Sequence, residues 1–325
     1  MKRIDDMTDA KISAAIRATA RWAAVALLCG MTACNSGLGG GETMDPFYRP
    51  AGAGSRAACN RVWEFTPAPG QFINDTSSEG GYHGESTPAE AAEYAMKRLE
   101  AGYYVSLGGF GGYLVVGFDH SILNSGGDYD FSVTGNAIES SCEPGIVWVM
   151  RDENGNGRPD DTWYELRGSE YGTSNRVAGY AVTYRRPDRD GADVEWRDNR
   201  GGSGTIARNT HHTQPSYYPL WIAEQEYTLT GTMLLPRDYV DEHGMYCTGI
   251  YGWGYADNYG SDRLTGGRNR FRISDAVTAE GGAALLPYID FVKVQTAVNI
   301  QGSAGVGELS TEVLGIADEH PGRRP

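Results

Sequence analysis

From residue 103 onward the chain is a succession of short apolar runs broken by turn residues. The runs 103–107, 113–118, 129–133, 146–150, 162–166, 180–184, 194–196, 227–229, 271–273, 288–296 and 310–316 are rich in β-branched and aromatic side chains. Such side chains suit a pleated, half-buried surface, so each run is predicted as a strand. Gly108-Gly109-Phe110-Gly111-Gly112, Asn124-Ser125-Gly126-Gly127-Asp128 and Gly201-Gly202-Ser203-Gly204 supply turns between them. A further strand is expected at 61–66. One helix is signposted by Thr87-Pro88-Ala89-Glu90, an N-cap Thr, a Pro at the first helical position and a Glu closing a capping box. Ala91, Tyr94, Ala95 and Leu99 give that helix one apolar face, and Gly102 stops it. This pattern predicts an all-β fold, an antiparallel β-sandwich of jelly-roll-like form with one short covering helix.

The N-terminal segment reads differently. Lys2, Arg3, Lys11, Arg17 and Arg21 precede an apolar run at 22–33, too short to span a bilayer as a mature helix. The run ends in Met31-Thr32-Ala33-Cys34, which is similar to a bacterial lipobox. Residues 1–33 are therefore expected to be a lipoprotein signal peptide, with Cys34 diacylated as the mature N-terminus. An ordinary signal peptide cut nearby is the alternative. Two acyl chains give the stable anchoring that one does not. Residues 34–80 are expected to be a tether and irregular segment, 81–318 the sandwich, and 319–325 a tail. Cys59, Cys142 and Cys247 have neither disulfide-framework nor zinc spacing.

The stretch 145–171 carries the most chemistry. Two strand-like runs flank a loop in which Asp152, Asn154 and Asn156 alternate, followed by Gly157, Asp160 and Asp161. Alternating oxygen side chains before a Gly can wrap a hard cation, so calcium is expected here. The pattern departs from an EF-hand loop, whose twelfth position is a bidentate Glu and is Trp163 in this chain. A solvated Asn-Gly hairpin turn is the competing reading. Two segments dense in aromatic residues, 209–222 and 246–262, are expected to form ligand-binding loops. There Trp221, Tyr251, Trp253 and Tyr255 would stack on a flat ligand, and His211, Asp257 and Asn258 would orient it. Inward packing of the same rings is the alternative.

The chain has 325 residues, 45 of them Gly, and a net charge of −14. That charge excludes nucleic acid as a partner, because no basic stripe exists to neutralise phosphates. No Gly-x-Ser-x-Gly elbow or Cys–His signature is present, so nucleophilic catalysis is not expected. Asp160, Asp161, Glu165 and Glu170 lie close in sequence, which keeps a glycoside hydrolase as an alternative. That chemistry needs two carboxylates about 5–9 Å apart across a cleft.

Several motifs carry a family resemblance. They are Gly108 to His120, Tyr129-Asp130-Phe131, Glu143-Pro144-Gly145-Ile146-Val147, Trp163-Tyr164-Glu165-Leu166, Gly254 to Asn258, Ile289 to Val294 and Gly307 to Glu312. As a set they resemble a family of bacterial "cell surface protein" lipoproteins, over roughly residues 103–315. The resemblance implies a jelly-roll-like sandwich on the outer membrane, lipid-anchored and facing outward. It also implies proximity to TonB-dependent outer-membrane receptors, including those of vitamin B12 uptake. The expected role is a non-enzymatic accessory to nutrient capture that binds a small molecule, such as a corrinoid, or a glycan. An adhesion or structural surface protein without a small ligand is the rival.

Overall fold

The computed structural model describes residues 45–77 and 80–324. The expectations for the signal peptide, Cys34 and the tether up to residue 44 lie outside the described residues.

The chain forms the expected all-β, antiparallel architecture, with a single α-helix among the described residues. The central sheet places Arg61–Thr66, Tyr113–Leu123, Tyr288–Thr296, Gly145–Met150, Tyr164–Leu166 and Ala276–Val277 side by side in that order. Its middle strand explains its two faces. In Val292-Lys293-Val294-Gln295, alternate side chains point to opposite faces. Val292 and Val294 join Leu114, Val116, Val147 and Val149 in the largest apolar cluster. Lys293, opposite Trp148 and Val115, and Gln295, opposite Tyr113 and Ile146, emerge on the other face. A one-residue slip would exchange the two sets, so burial fixes the register.

A second sheet of four strands, Glu226–Leu234, Arg176–Arg185, Val194–Asp198 and Ser203–Ile206, holds its own core of Tyr180, Val182, Tyr184 and Leu229. A third joins Arg263–Leu264, Arg268–Phe271, Phe131–Thr134 and Gly315–Asp318. The helix α1, Pro88–Glu100, begins as expected. Thr87 Oγ1 accepts from the Glu90 amide at 3.2 Å, and Glu90 Oε2 accepts from the Thr87 amide at 3.0 Å. Ala91 and Ala95 are fully buried against the main core. Gly102 follows with φ +74°, a conformation that disfavours a Cβ.

The structure departs from the sequence pattern at short strands. Asp238–Val240 pairs with Tyr246–Thr248 where a loop was expected to begin, and Ser203–Ile206 is a strand although its first residues have turn chemistry. The run 310–316 divides into Glu312–Val313 and Gly315–Asp318, which enter different sheets. Cys59, Cys142 and Cys247 are all buried free thiols.

Candidate functional site

The strands flanking the acidic loop pair as one hairpin, with Trp148 opposite Glu165 and Val149 opposite Tyr164. Within the loop, Asp152 is buried, and its two oxygens accept from the amides of Gly155 at 2.7 Å and Gly157 at 2.8 Å. Asp152 therefore closes the turn from within. Asn154 Nδ2 donates to Asp160 at 3.1 Å and to Asp161 at 3.0 Å, and Asn156 Nδ2 donates to both oxygens of Asp160. Those amide donors hold the Asp160 carboxyl below its usual range. Asn154, Asn156, Asp160 and Asp161 thus form one hydrogen-bonded cluster with two outer carboxylates, while Asp152 bonds only backbone amides of the loop.

The aromatic segments take a different place from the one expected. Trp221 lies in the main core, beside Phe65 and Tyr82. Tyr251 and Tyr255 pack edge to face in a separate cluster with Leu234 and Leu309. The Tyr251 hydroxyl donates to the Leu235 carbonyl, and the Tyr255 hydroxyl accepts from the Glu170 amide. Asn258 is fully buried, bonding the Tyr251 backbone through both side-chain atoms. Trp253 is 37% exposed, and His211 is exposed with its amide on Asn209. Asp257 is fully buried. The expected stacking surface is corrected accordingly: Trp221, Tyr251 and Tyr255 are core residues in two clusters, and rings already in apolar contact have no face left for a ligand. Gly–aromatic alternation reads the same whether the rings point in or out.

An open aromatic cleft does occur, on the polar face of the central sheet. The Lys293 ammonium lies 4.9 Å from the Trp148 ring centre, 4.8 Å from that of Trp163 and 5.9 Å from that of Tyr113. Both Trp side chains are only half-buried. They border a cavity of about 380 Å³ that also reaches Tyr171, Thr230, Thr232, Thr278 and Gln295. Burial, opposed by the charge of Glu64, pushes the Lys293 amine down to about 8, and among the described residues no carboxylate comes within ion-pair distance of it. Gln295 donates to the carbonyls of Gly111 at 2.9 Å and Thr230 at 3.1 Å, whereas its Oε1 and Trp148 Nε1 are buried without a partner. Gly231 permits this approach, since a Cβ there would stand 2.2 Å from Gln295 Oε1. Glu165 is committed at the cleft wall. It accepts from Arg176 Nε at 2.9 Å and Nη2 at 2.7 Å, and from Thr232 Oγ1 at 2.6 Å. Glu170 is likewise paired with Arg237 at 2.8 Å.

A second cavity, of about 320 Å³, is acidic and is lined by Glu143, Glu308, Glu312 and Ser310 among others. Sequence reasoning singled out Asp257 for another role and gave none to Glu143, Glu308 or Glu312. Those three lie inside two of the motifs that carry the family resemblance, which was the available signal.

Compared with protein-family models the chain matches none, and no curated protein matches it.

Proposed function

We propose that this protein is a lipid-anchored surface binding protein that captures a small anionic ligand, an acidic glycan being the best fit, in the Trp148–Trp163 cleft. The observation that carries the reading is Lys293: a desolvated ammonium held by aromatic rings at an open cavity, which Glu64 compensates only in part and from beyond ion-pair distance. Removing an ammonium from water is costly, and an incoming carboxylate or sulfate would offset that cost. Trp163 and Tyr171 offer ring surface for a sugar face. Thr230 and Thr278 line the same cavity as polar partners for hydroxyls. A cavity of about 380 Å³ lies at the small end of the ligand-pocket range and suits one or two sugar units better than a whole corrinoid. Anchoring through Cys34 would present the domain to a TonB-dependent receptor, in keeping with the family resemblance. Calorimetric titration with neutral and acidic oligosaccharides tests the reading: acidic ligands should bind, and Lys293→Met should abolish the preference for charge. Equal binding of both sugar classes, or none by either, contradicts it.

The expected calcium belongs to the same proposal, at the 152–161 loop. Asp160 and Asp161 would supply carboxylates, while Asn154 and Asn156 would turn their carbonyl oxygens inward. A melting temperature unchanged by calcium or chelator argues against it, because an ion that binds only the folded state raises stability.

The adhesion reading retains one observation in its favour. The hairpin formed by Asp238–Val240 and Tyr246–Thr248 exposes the apolar side chains of Tyr239, Val240 and Met245, surface of the kind that a protein partner can cover.

A further inference from the structure

Three distant segments meet beside the acidic cavity, which Glu143 and Glu312 line and behind which Asp257 is buried. Glu143 precedes the strand Gly145–Met150, Asp257 lies in the loop before Arg263–Leu264, and Glu312 opens the strand Glu312–Val313. Backbone bonds lock these segments. The Glu143 amide donates to the Asp257 carbonyl at 3.0 Å, and Gly145 and Ala256 exchange two further bonds at 3.0 Å. The Thr311 hydroxyl donates to the Glu143 carbonyl at 2.8 Å, and the Glu312 amide donates to Asp257 Oδ2 at 2.9 Å. Asp257 itself has φ +50°, and its Oδ1 accepts from the amides of Asn136 and Ala137 at 2.8 Å each. A non-Gly residue in this region is strained and is held there by its surroundings.

The result is one carboxylate oxygen from each of Glu143, Asp257 and Glu312, all within 4.8 Å of one another. Oxygens on opposite sides of a calcium ion stand about 4.6–5.2 Å apart, twice the metal–oxygen distance. Like charges this close and this buried repel unless a cation or protons intervene. Among the described residues no Lys, Arg or His forms an ion pair with any of the three or with Glu308.

An independent observation comes from Glu308. It is 1% exposed and lines the same cavity; its Oε1 accepts from the Gln71 amide at 2.8 Å, while its Oε2 is buried with no hydrogen-bond partner. A buried carboxylate oxygen left without a hydrogen bond, on a residue that lines a polar cavity, is a group in want of a ligand.

We propose that Glu143, Asp257 and Glu312, joined by Glu308, form a site for a hard divalent cation, calcium above all, separate from the 152–161 loop. The donor set is oxygen only, which suits calcium and disfavours zinc. Ser310 lines the cavity as a further oxygen donor, and the half-buried Glu143 marks the route of entry. By tying three segments together, the ion would clamp the centre of the domain.

The test uses the full chain with Asp160→Asn and Asp161→Asn as background, which silences the loop. Calorimetric titration with calcium chloride should show one site in that background, and adding Glu312→Gln should weaken it at least tenfold. The metal-free melting temperature of the Glu312→Gln protein should equal or exceed that of its background, since one repelling charge has gone. Glu143→Gln serves as a second variant should Glu312→Gln fold poorly, with the same loss expected. Absence of calcium binding in the background protein, or binding unchanged by both substitutions, would overturn the proposal. Anomalous scattering from manganese-soaked crystals should place the ion among the three carboxylates, and a peak elsewhere would equally overturn it.

Discussion

Replacing Glu165 by Ala removes the anion that holds the wall of the aromatic cleft. Its two oxygens take three hydrogen bonds, two from Arg176 and one from Thr232, all at 2.9 Å or less. The Glu165 side chain is 6% exposed and that of Arg176 is 19% exposed. Breaking a buried pair by removing one partner costs about 3–5 kcal/mol, because the other charge stays behind uncompensated. Arg176 is partly open to water and retains a ring contact with Tyr171 at 4.8 Å, which lowers the cost. The orphaned Thr232 hydroxyl adds about 1 kcal/mol. We therefore expect a loss of roughly 3 kcal/mol, or about 1 M in the urea midpoint for a slope near 3 kcal/mol/M. Equilibrium urea unfolding, followed by tryptophan fluorescence, measures it. The double variant Glu165→Ala/Arg176→Met should recover much of the loss, since no buried charge is then unpaired. A loss below about 0.5 kcal/mol, or a double variant no better than the single one, would refute the reasoning. A large loss would also identify Glu165 as structural and leave the hydrolase reading without one of its carboxylates.

Four further outcomes are expected. His120 is 1% exposed between Asp119 at 2.7 Å and Asp318 at 2.9 Å, and a carboxylate on each ring nitrogen favours the charged imidazolium. The Asp318 hydrogen bond, opposed by burial and aided by Asp119, raises its pKa. Its stabilisation should be complete below about pH 6.5 and lost as pH rises through the folded value, so the gap between wild type and His120→Gln in urea midpoint should narrow with rising pH. Anionic ligand binding at the cleft should weaken as pH climbs through about 8, where Lys293 loses its charge, and titrations at pH 6.5 and 9.5 will show this. Gly231→Ala should cost about 1–3 kcal/mol in thermal or urea unfolding, because its Cβ would meet Gln295 at 2.2 Å. Thr87→Ala should cost about 1 kcal/mol in the same assay through loss of the α1 cap.

Local pattern carried much of this structure. The strands Arg61–Thr66 and Tyr288–Thr296 and the start of α1 were legible because alternation and capping chemistry lie within a few residues. Two-residue strands such as Arg263–Leu264 and Ala276–Val277 were not, because their pairing partners define them. Asp238–Val240 is exposed along its whole length and shows no burial alternation to read. The candidate sites divide in the same way. The hairpin bearing Trp148 and Trp163 could be read from sequence, but Lys293 meets those rings only through the cross-strand register. Tyr251 and Tyr255 were visible as aromatic residues, while their inward direction was decided by packing. The convergence of Glu143, Asp257 and Glu312 has no local signature, since three separate segments must first fold.

The measurement that bears most directly on the central claim is a calorimetric titration of the purified protein with an acidic oligosaccharide, repeated on Trp163→Ala. Stacking on an aromatic ring contributes about 0.5–1.5 kcal/mol beyond area burial. Wild type should bind, and the variant should bind about tenfold more weakly while unfolding at the same urea concentration. Equal affinity in the two proteins, or no binding by wild type to any acidic sugar, would contradict the assignment of the Trp148–Trp163 cleft as the ligand site.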